Sequence, residues 1–129
     1  MLDGDRTLQV WSPTWITTGL SSPWVNYGVI YEGFGYYKDL QGIVYLRGLI
    51  AGPGSTPVAV GSTICVLPVG YRPKFRHIYN QVGDGNPSGS HVVSRIDIDN
   101  TGIVNLQAIL SGDTGVVWQS LAGISFSTY

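Results

Sequence analysis

The feature that most constrains the fold is the spacing of glycine and proline. The 18 glycines and 7 prolines are spread along the chain and separate short segments rich in Val, Ile, Tyr, Trp and Thr. Such segments are typical of β-strands joined by turns. Apolar residues at the helical spacing do not continue beyond about two turns. An all-β domain with almost no helix is therefore predicted.

One segment that alternates clearly is 42–50, in which Val44, Leu46 and Ile50 share one face and are expected to point into the core. A hairpin at 38–42 is predicted to join it to a strand at 35–37.

The segment 92–99 alternates as well, with Ile96 and Ile98 predicted inward and its charged residues outward. The residues Asn100-Thr101-Gly102 follow it, and the apolar pattern returns over 103–110. A second hairpin is predicted here, with Asn100 and Gly102 supplying the positive φ of a tight turn.

Further strands are predicted at 24–31, 62–67, 75–82 and 116–127. About eight strands at this spacing indicate an antiparallel β-sandwich resembling a jelly roll. Two longer loops, 52–57 and 83–90, interrupt the pattern, and loops at the end of a rigid sandwich commonly carry recognition residues.

Charge and length limit the class of function. The 129 residues suit one domain, and 12% of them are charged, against about 25% in an average domain. A surface this poor in charge favours self-association. The net charge of −1 and the single basic cluster of Arg72, Lys74 and Arg76 argue against nucleic-acid binding. No apolar stretch is long enough to span a bilayer, so membrane insertion is not expected, and residues 1–5 do not resemble a signal peptide.

The sequence gives little support for catalysis or metal binding. Asp97 and Asp99 share a strand face and open a calcium-loop-like sequence, but Ala108 stands where the closing Glu is needed. His77 and His91 are the candidate bases, with no nucleophile elbow beside them, and Cys65 lies in an apolar run and is expected to be buried. We therefore predict no enzymatic activity, no metal site and no cofactor.

Aromatic residues are the remaining candidates for function. The chain has four Trp and eight Tyr beside polar loops. Exposed aromatic rings can stack on the apolar faces of sugars, although most aromatics in a small sandwich fill the core or an interface.

Seven short blocks follow one another along the chain: WVNYG (24–28), YKD (37–39), GIVYLRG (42–48), LPVGYRP (67–73), RIDI (95–98), GIV (102–104) and WQSLAGISF (118–126). In this order they resemble the C-terminal receptor-binding head module of tail-fibre and baseplate proteins of tailed bacteriophages.

The resemblance implies a β-sandwich head over 24–129 that forms a homotrimer at the tail tip or fibre of a virion. Residues 1–23 would be a linker to the rest of the fibre or baseplate, or an added strand. Such heads contact the host surface, typically a saccharide. The resemblance also implies structural roles: Leu67 and Pro68 would end a core strand, and Trp118 and Phe126 would close the core.

Polarity and position suggest where a bacterial surface saccharide would bind. The candidates are Arg95 and Asp97 on a strand face, three loop residues, and a tyrosine as stacking platform: Tyr79, Asp84, Asn86, His91, Arg95 and Asp97. Two alternatives stay open, a virion decoration or connector domain that binds no receptor, and a carbohydrate-binding module of a secreted enzyme.

Overall fold

The structure, a computed structural model, describes residues 12–129, which form eleven β-strands and one 3-10 turn at Pro53–Ser55. The strands are β1 (Val25–Asn26), β2 (Gly35–Lys38), β3 (Ile43–Arg47), β4 (Leu49–Ala51), β5 (Val58–Ala59), β6 (Thr63–Val66), β7 (His77–Asn86), β8 (His91–Ile98), β9 (Ile103–Ile109), β10 (Gly115–Ser120) and β11 (Ser125–Ser127).

The strands form two sheets, and every pairing between them is antiparallel. The large sheet has the order β1-β4-β10-β7-β8-β9-β6, with β5 also paired to β10, and the small sheet has the order β11-β3-β2. This confirms the predicted all-β antiparallel sandwich. More strands are present than the eight predicted because some are only two or three residues long.

The predicted strand 42–50 is divided at Gly48, where the chain passes from the small sheet to the large one. Gly48 has a φ of +119°, and a Cβ there would lie 2.7 Å from the backbone of Phe34. Glycine is therefore needed both for the turn and for the close approach. The three residues predicted to point inward, Val44, Leu46 and Ile50, are buried.

The predicted strand 24–31 is wrong beyond Asn26, because the chain turns there. Gly28 and Val29 have φ values of +88° and +61°. Tyr31 N donates a hydrogen bond to the Gly28 carbonyl, which closes the turn. The predicted segment 116–127 also contains a turn and forms β10 and β11.

The first predicted hairpin joins β2 to β3 and is confirmed. The carboxylate of Asp39 accepts hydrogen bonds from the backbone N–H groups of Gln41 and Ile43, both at 2.9 Å. These bonds fix the turn and lower the pKa of Asp39.

The second predicted hairpin joins β8 to β9 and is also confirmed. Asp99 closes it, since its Oδ1 accepts from the N–H groups of Thr101 and Ile103. The positive φ predicted for Asn100 is wrong, because Gly102 supplies it at +90° and the Asp99 side chain satisfies the turn N–H groups.

The first half of the polar loop predicted at 83–90 is strand. β7 continues to Asn86 and pairs with β8 as far as Asp84↔His91. Gly83 lies inside β7, where a Cβ would lie 2.8 Å from Oε1 of Gln119. This glycine therefore makes room for a neighbouring side chain, and the turn itself is confined to residues 87–90.

Apolar side chains from both sheets fill the space between them. Members that are less than 2% exposed include Phe34, Ile64, Leu67, Ile96, Ile98, Leu106 and Leu121. Cys65 belongs to this core, as predicted, and burial raises the pKa of its thiol to about 12.

Residues 12–23 run along both sheets, with bridges from Ile16 to Tyr36 and from Leu20 to Cys65. The division at residue 23 stays a prediction, and residues 1–11, including the start predicted to lack a signal peptide, lie outside the described residues. Within 12–129, no helix has the length and apolar character to cross a membrane.

Candidate functional site

Five of the six predicted site residues lie on one surface, the outer face. We define it as the side of β7 and β8 that faces away from the core. The register places Asp84 opposite His91 and Ile78 opposite Asp97. At about 3.3 Å per residue, these two pairs are roughly 20 Å apart. Asp84 and His91 are therefore at one end of the outer face, and Arg95 and Asp97 lie toward the other.

Asp97 lies on the outer face, but the expectation that it is exposed is wrong, because two arginines cover it. Arg95 donates to both carboxylate oxygens, from Nε at 2.7 Å and Nη2 at 2.9 Å. Arg76 Nε donates to Oδ2 at 2.7 Å. The Asp97 side chain is 2% exposed. Burial raises its pKa, but the hydrogen bonds and charges of Arg95 and Arg76 outweigh burial and leave the pKa below its usual value.

The side chain of Tyr79 lies on the opposite side of β7 from the other predicted site residues. Its hydroxyl donates to the Ser125 carbonyl at 2.8 Å, which links the large sheet to β11. Burial raises the pKa of this hydroxyl to about 12. Tyr79 packs against the core, so its ring is not a platform on the outer face.

Asn86 ends β7, where its backbone carbonyl accepts a hydrogen bond from Thr114 N at 2.9 Å. It is two residues from Asp84 on the same strand, so its side chain is on the outer face as well. The outer face therefore carries five of the six predicted residues, and these are divided between its two ends.

A pocket of about 550 Å³ opens at the His91 end of the outer face. This volume is within the usual range for small-molecule sites. His91 is the one predicted site residue that lines it. Most of the other side chains that line the pocket are aromatic or apolar, among them Tyr27, Tyr31, Val82 and Trp118. Glu32 adds a carboxylate to the lining.

Two aromatic pairs form part of the pocket wall. The rings of Tyr27 and Tyr31 meet edge to face with centroids 5.3 Å apart. The rings of His91 and Trp118 meet in the same manner at 5.5 Å. Each pair combines apolar ring surface with a polar edge, which is the combination that a sugar ring with its hydroxyl groups can use.

A β-bulge in β10 places Trp118 in this pocket. Val116 is opposite Gly85 and Gln119 is opposite Gly83, so β10 has one more residue than β7 over this stretch. An extra residue of this kind re-aims the side chains that follow it. Trp118 therefore reaches the outer face. Without the bulge, simple alternation from the inward-pointing Val116 would point Trp118 into the core.

Gln119 takes the inward position instead and is fully buried. It accepts a hydrogen bond from Ser94 Oγ at 2.7 Å and donates from Nε2 to the Val82 carbonyl at 3.1 Å. The implied core role is thus confirmed for Phe126, which is buried, and wrong for Trp118, which lines the pocket.

The opposite wall is the segment between β1 and β2. Tyr27 N donates to the Leu49 carbonyl and Leu49 N donates to the Glu32 carbonyl, both at 2.9 Å, so β4 holds both ends of the segment. At its tip, Val29 adopts a left-handed φ of +61° and is 91% exposed. Such a conformation costs about 1–3 kcal/mol for a residue other than glycine, and strain of this kind is common at binding sites.

Among residues 12–129, no cluster of three or more His, Cys, Asp or Glu side chains is arranged to hold a metal ion. Chemically, the pocket offers ring surfaces, a carboxylate, a hydroxyl and an imidazole, which are groups suited to reversible binding of a polar, flat ligand.

Comparison with known proteins gives one informative result. No family model matches the sequence, and no curated protein matches it. Among solved structures, the fold is similar to the crystal structure of the receptor binding protein (gp15) of Listeria phage PSA, with a TM-score of 0.65 and 18% identity. The similarity covers 92% of this chain, which spans 66% of the length of that protein. This chain therefore has the fold of a bacteriophage receptor-binding protein.

Proposed function

We propose that this chain is the receptor-binding head of a phage tail fibre or baseplate, and that it adsorbs to a bacterial surface saccharide as a homotrimer. The observation that carries the proposal is the aromatic pocket on the outer face of a fold shared with a phage receptor-binding protein. The ring surfaces of Tyr27, Tyr31 and Trp118 would stack on the saccharide, and His91 and Ser120 would hydrogen-bond its hydroxyl groups.

The trimer is supported by a row of apolar side chains on the outer face, which we call the apolar row. The row consists of Val82, Val93 and Leu110, which are all exposed. Ile78 is exposed farther along β7, separated from Val82 by Asn80. Val82 and Val93 are direct partners in the register, and Leu110 N donates to the Val93 carbonyl. Contiguous exposed apolar residues commonly mark interaction surfaces, and a second copy would cover this one. Val82 also lines the pocket, so a boundary between subunits would pass beside the binding site.

In the proposed mechanism, affinity comes from several weak binding sites that act together. A half-open pocket with few polar groups would bind one sugar weakly. Three such pockets on one rigid head, and several heads on one virion, would raise the overall avidity by orders of magnitude without any strong single site. Binding at each single site would then be reversible, while the virion as a whole would stay attached to the bacterium.

The first test combines light scattering during size exclusion with adsorption of the fluorescently labelled domain to a panel of bacteria. We expect a mass near three times 13.9 kDa and saturable adsorption to at least one strain. Val93→Glu places a charge in the apolar row and should yield monomers whose adsorption falls by about 100-fold or more. Val69→Glu, at an exposed valine outside the row, is the matched control and should remain trimeric.

Other outcomes would favour the two alternatives. A trimer that adsorbs to no strain would favour a connector domain of a virion. A monomer that binds saccharide with full strength would favour a carbohydrate-binding module of an enzyme.

A further inference from the structure

A trimer with three-fold symmetry needs two different contact surfaces on every chain. Each subunit presents one surface to the neighbour on its left and another to the neighbour on its right, so the two surfaces are not copies of each other. The apolar row supplies one of them. Because the row is apolar, the surface that covers it should be apolar and exposed as well.

One pair of neighbouring side chains meets this requirement. Seven large hydrophobic side chains among residues 12–129 are more than three-quarters exposed: Val29, Ile30, Leu40, Val69, Phe75, Leu110 and Tyr129. Leu110 belongs to the apolar row, and single exposed apolar residues are normal on a protein surface. Of the seven, only Val29 and Ile30 are adjacent in the sequence, and they are 91% and 88% exposed. We call this pair the aliphatic tip.

Hydrogen bonds hold the aliphatic tip in place. It lies in the segment between β1 and β2, whose two ends are bonded to β4, and Tyr31 N donates to the Gly28 carbonyl across the tip at 3.1 Å. Val29 keeps a left-handed φ of +61°, which is costly for a β-branched residue. A tip that is already ordered loses little conformational entropy when it binds, which favours association.

The apolar row borders a cavity that the aliphatic tip can enter. The cavity has a volume of about 410 Å³ and opens on the outer face. Its lining is mainly aliphatic, with one amide and one guanidinium: Asn80, Val93, Arg95, Ala108, Ile109 and Leu110. An apolar side chain seated in such a cavity is a common anchor at the centre of a protein interface.

The charges beside the two surfaces are compatible with a contact. Glu32 is two residues from the aliphatic tip, and its side chain is 57% exposed. Arg95 lines the cavity, and its side chain is 43% exposed. These two charges are opposite in sign, and each already has a partner in its own chain, Arg47 for Glu32 and Asp97 for Arg95. Neither charge is therefore left without a counter-charge when the surfaces meet.

We propose that the aliphatic tip of each subunit inserts into the cavity beside the apolar row of its neighbour, and that this contact closes the trimer. The inference rests on the proposed function, because it specifies how the proposed homotrimer is built. Within one chain the tip does not fill the cavity, since neither Val29 nor Ile30 lines it and both are exposed. The occupant that fits the cavity is a second copy of this chain.

Disulfide cross-linking tests which surfaces meet. After oxidation with copper phenanthroline, the double variant Ile30→Cys/Val93→Cys should give bands at two and three times 13.9 kDa on a non-reducing gel. The native Cys65 is buried and the pKa of its thiol is raised, so it does not compete. Neither single variant should give these bands, because the contact joins two different surfaces.

Leu40 provides the matched control, since it is 84% exposed in the turn between β2 and β3. The double variant Leu40→Cys/Val93→Cys should remain uncross-linked under the same conditions. Light scattering gives a second measurement. Ile30→Glu should lower the mass about threefold while the circular dichroism spectrum stays unchanged, because a charge at the tip cannot enter an aliphatic cavity. Leu40→Glu should remain trimeric.

Failure of the inference and failure of the proposed function give different results. A trimeric wild type whose Ile30→Cys/Val93→Cys variant does not cross-link, or whose Ile30→Glu variant stays trimeric, overturns the inference and leaves the proposed function intact. Cross-linking of Ile30→Cys alone, or equal cross-linking of the Leu40 control, also overturns it. A monomeric wild type refutes the proposed homotrimer itself.

Discussion

The two ends of the outer face carry polar residues for different purposes. At one end, Arg95 and Arg76 both donate hydrogen bonds to Asp97, whose carboxylate is closed to solvent. At the other end, Trp118 and His91 line an open pocket. Sequence polarity gave candidate residues at both ends. The comparison shows that the groups available to a ligand distinguish a site better than the number of polar residues does.

The largest expected effect comes from breaking the arginine end. Asp97→Ala would leave Arg95 and Arg76 without the carboxylate to which both donate hydrogen bonds, and only the charge of Asp99 would still act on Arg76. We expect it to lower the free energy of unfolding by about 3 kcal/mol, at the lower end for a broken buried ion pair because both guanidinium groups are half-exposed. Urea denaturation followed by tryptophan fluorescence measures this.

Adsorption by the folded fraction of Asp97→Ala should remain at the wild-type level. Unchanged stability together with lost adsorption would reverse the comparison and make Asp97 a ligand residue.

The second prediction concerns the pocket end. Trp118→Ala removes the ring that the β-bulge presents and should weaken saccharide binding by about 2 kcal/mol, the size typical of a tryptophan at a binding hot spot. Stability should fall by only about 1 kcal/mol, since this side chain is outside the core. The measurement is adsorption of the labelled domain at several concentrations.

Phe75→Ala is the control, because Phe75 is an exposed aromatic outside the pocket. If it weakened adsorption as much as Trp118→Ala does, this would contradict the assignment of saccharide binding to the pocket.

The third and smallest effect is a pH dependence at the arginine end. The pKa of Asp97 is lower in the folded protein than in the unfolded chain, where it is about 3.9. Its contribution to stability is therefore complete above the unfolded pKa and is lost as the pH falls through the folded pKa. We expect the free energy of unfolding to fall more steeply below about pH 4 in the wild type than in Asp97→Asn. Equal slopes would show that this carboxylate is not stabilised by the two arginines.

Much of the fold could be predicted because it is encoded in local pattern. Alternation gave the inward residues Ile96 and Ile98, which are fully buried. Turn chemistry gave both hairpins, since an Asp before a Gly can close a tight turn with its own side chain. The core position of Cys65 followed from its apolar neighbours.

The candidate site was harder to predict, because it depends on contacts between distant segments. Alternation places Asp97 on the outer face but cannot show that Arg76, 21 residues away, covers it. The segment 83–86 has the composition of a loop, with two glycines and an asparagine. It is a strand, in which Gly83 makes room for the side chain of Gln119 on another strand. No periodicity in the sequence indicates a bulge, and the family resemblance implies a core position for Trp118, which the bulge in β10 instead turns outward.

The bulge in β10 also gives two neighbouring residues separate roles, one in the interior and one on the surface. Gln119 holds the strand through hydrogen bonds in the interior, while Trp118 points outward and takes no part in the core. A chain built this way can exchange the residue at 118 over generations and keep the same scaffold. Under the proposed function, the residue at 118 could therefore change with the ligand while the fold around it stays constant.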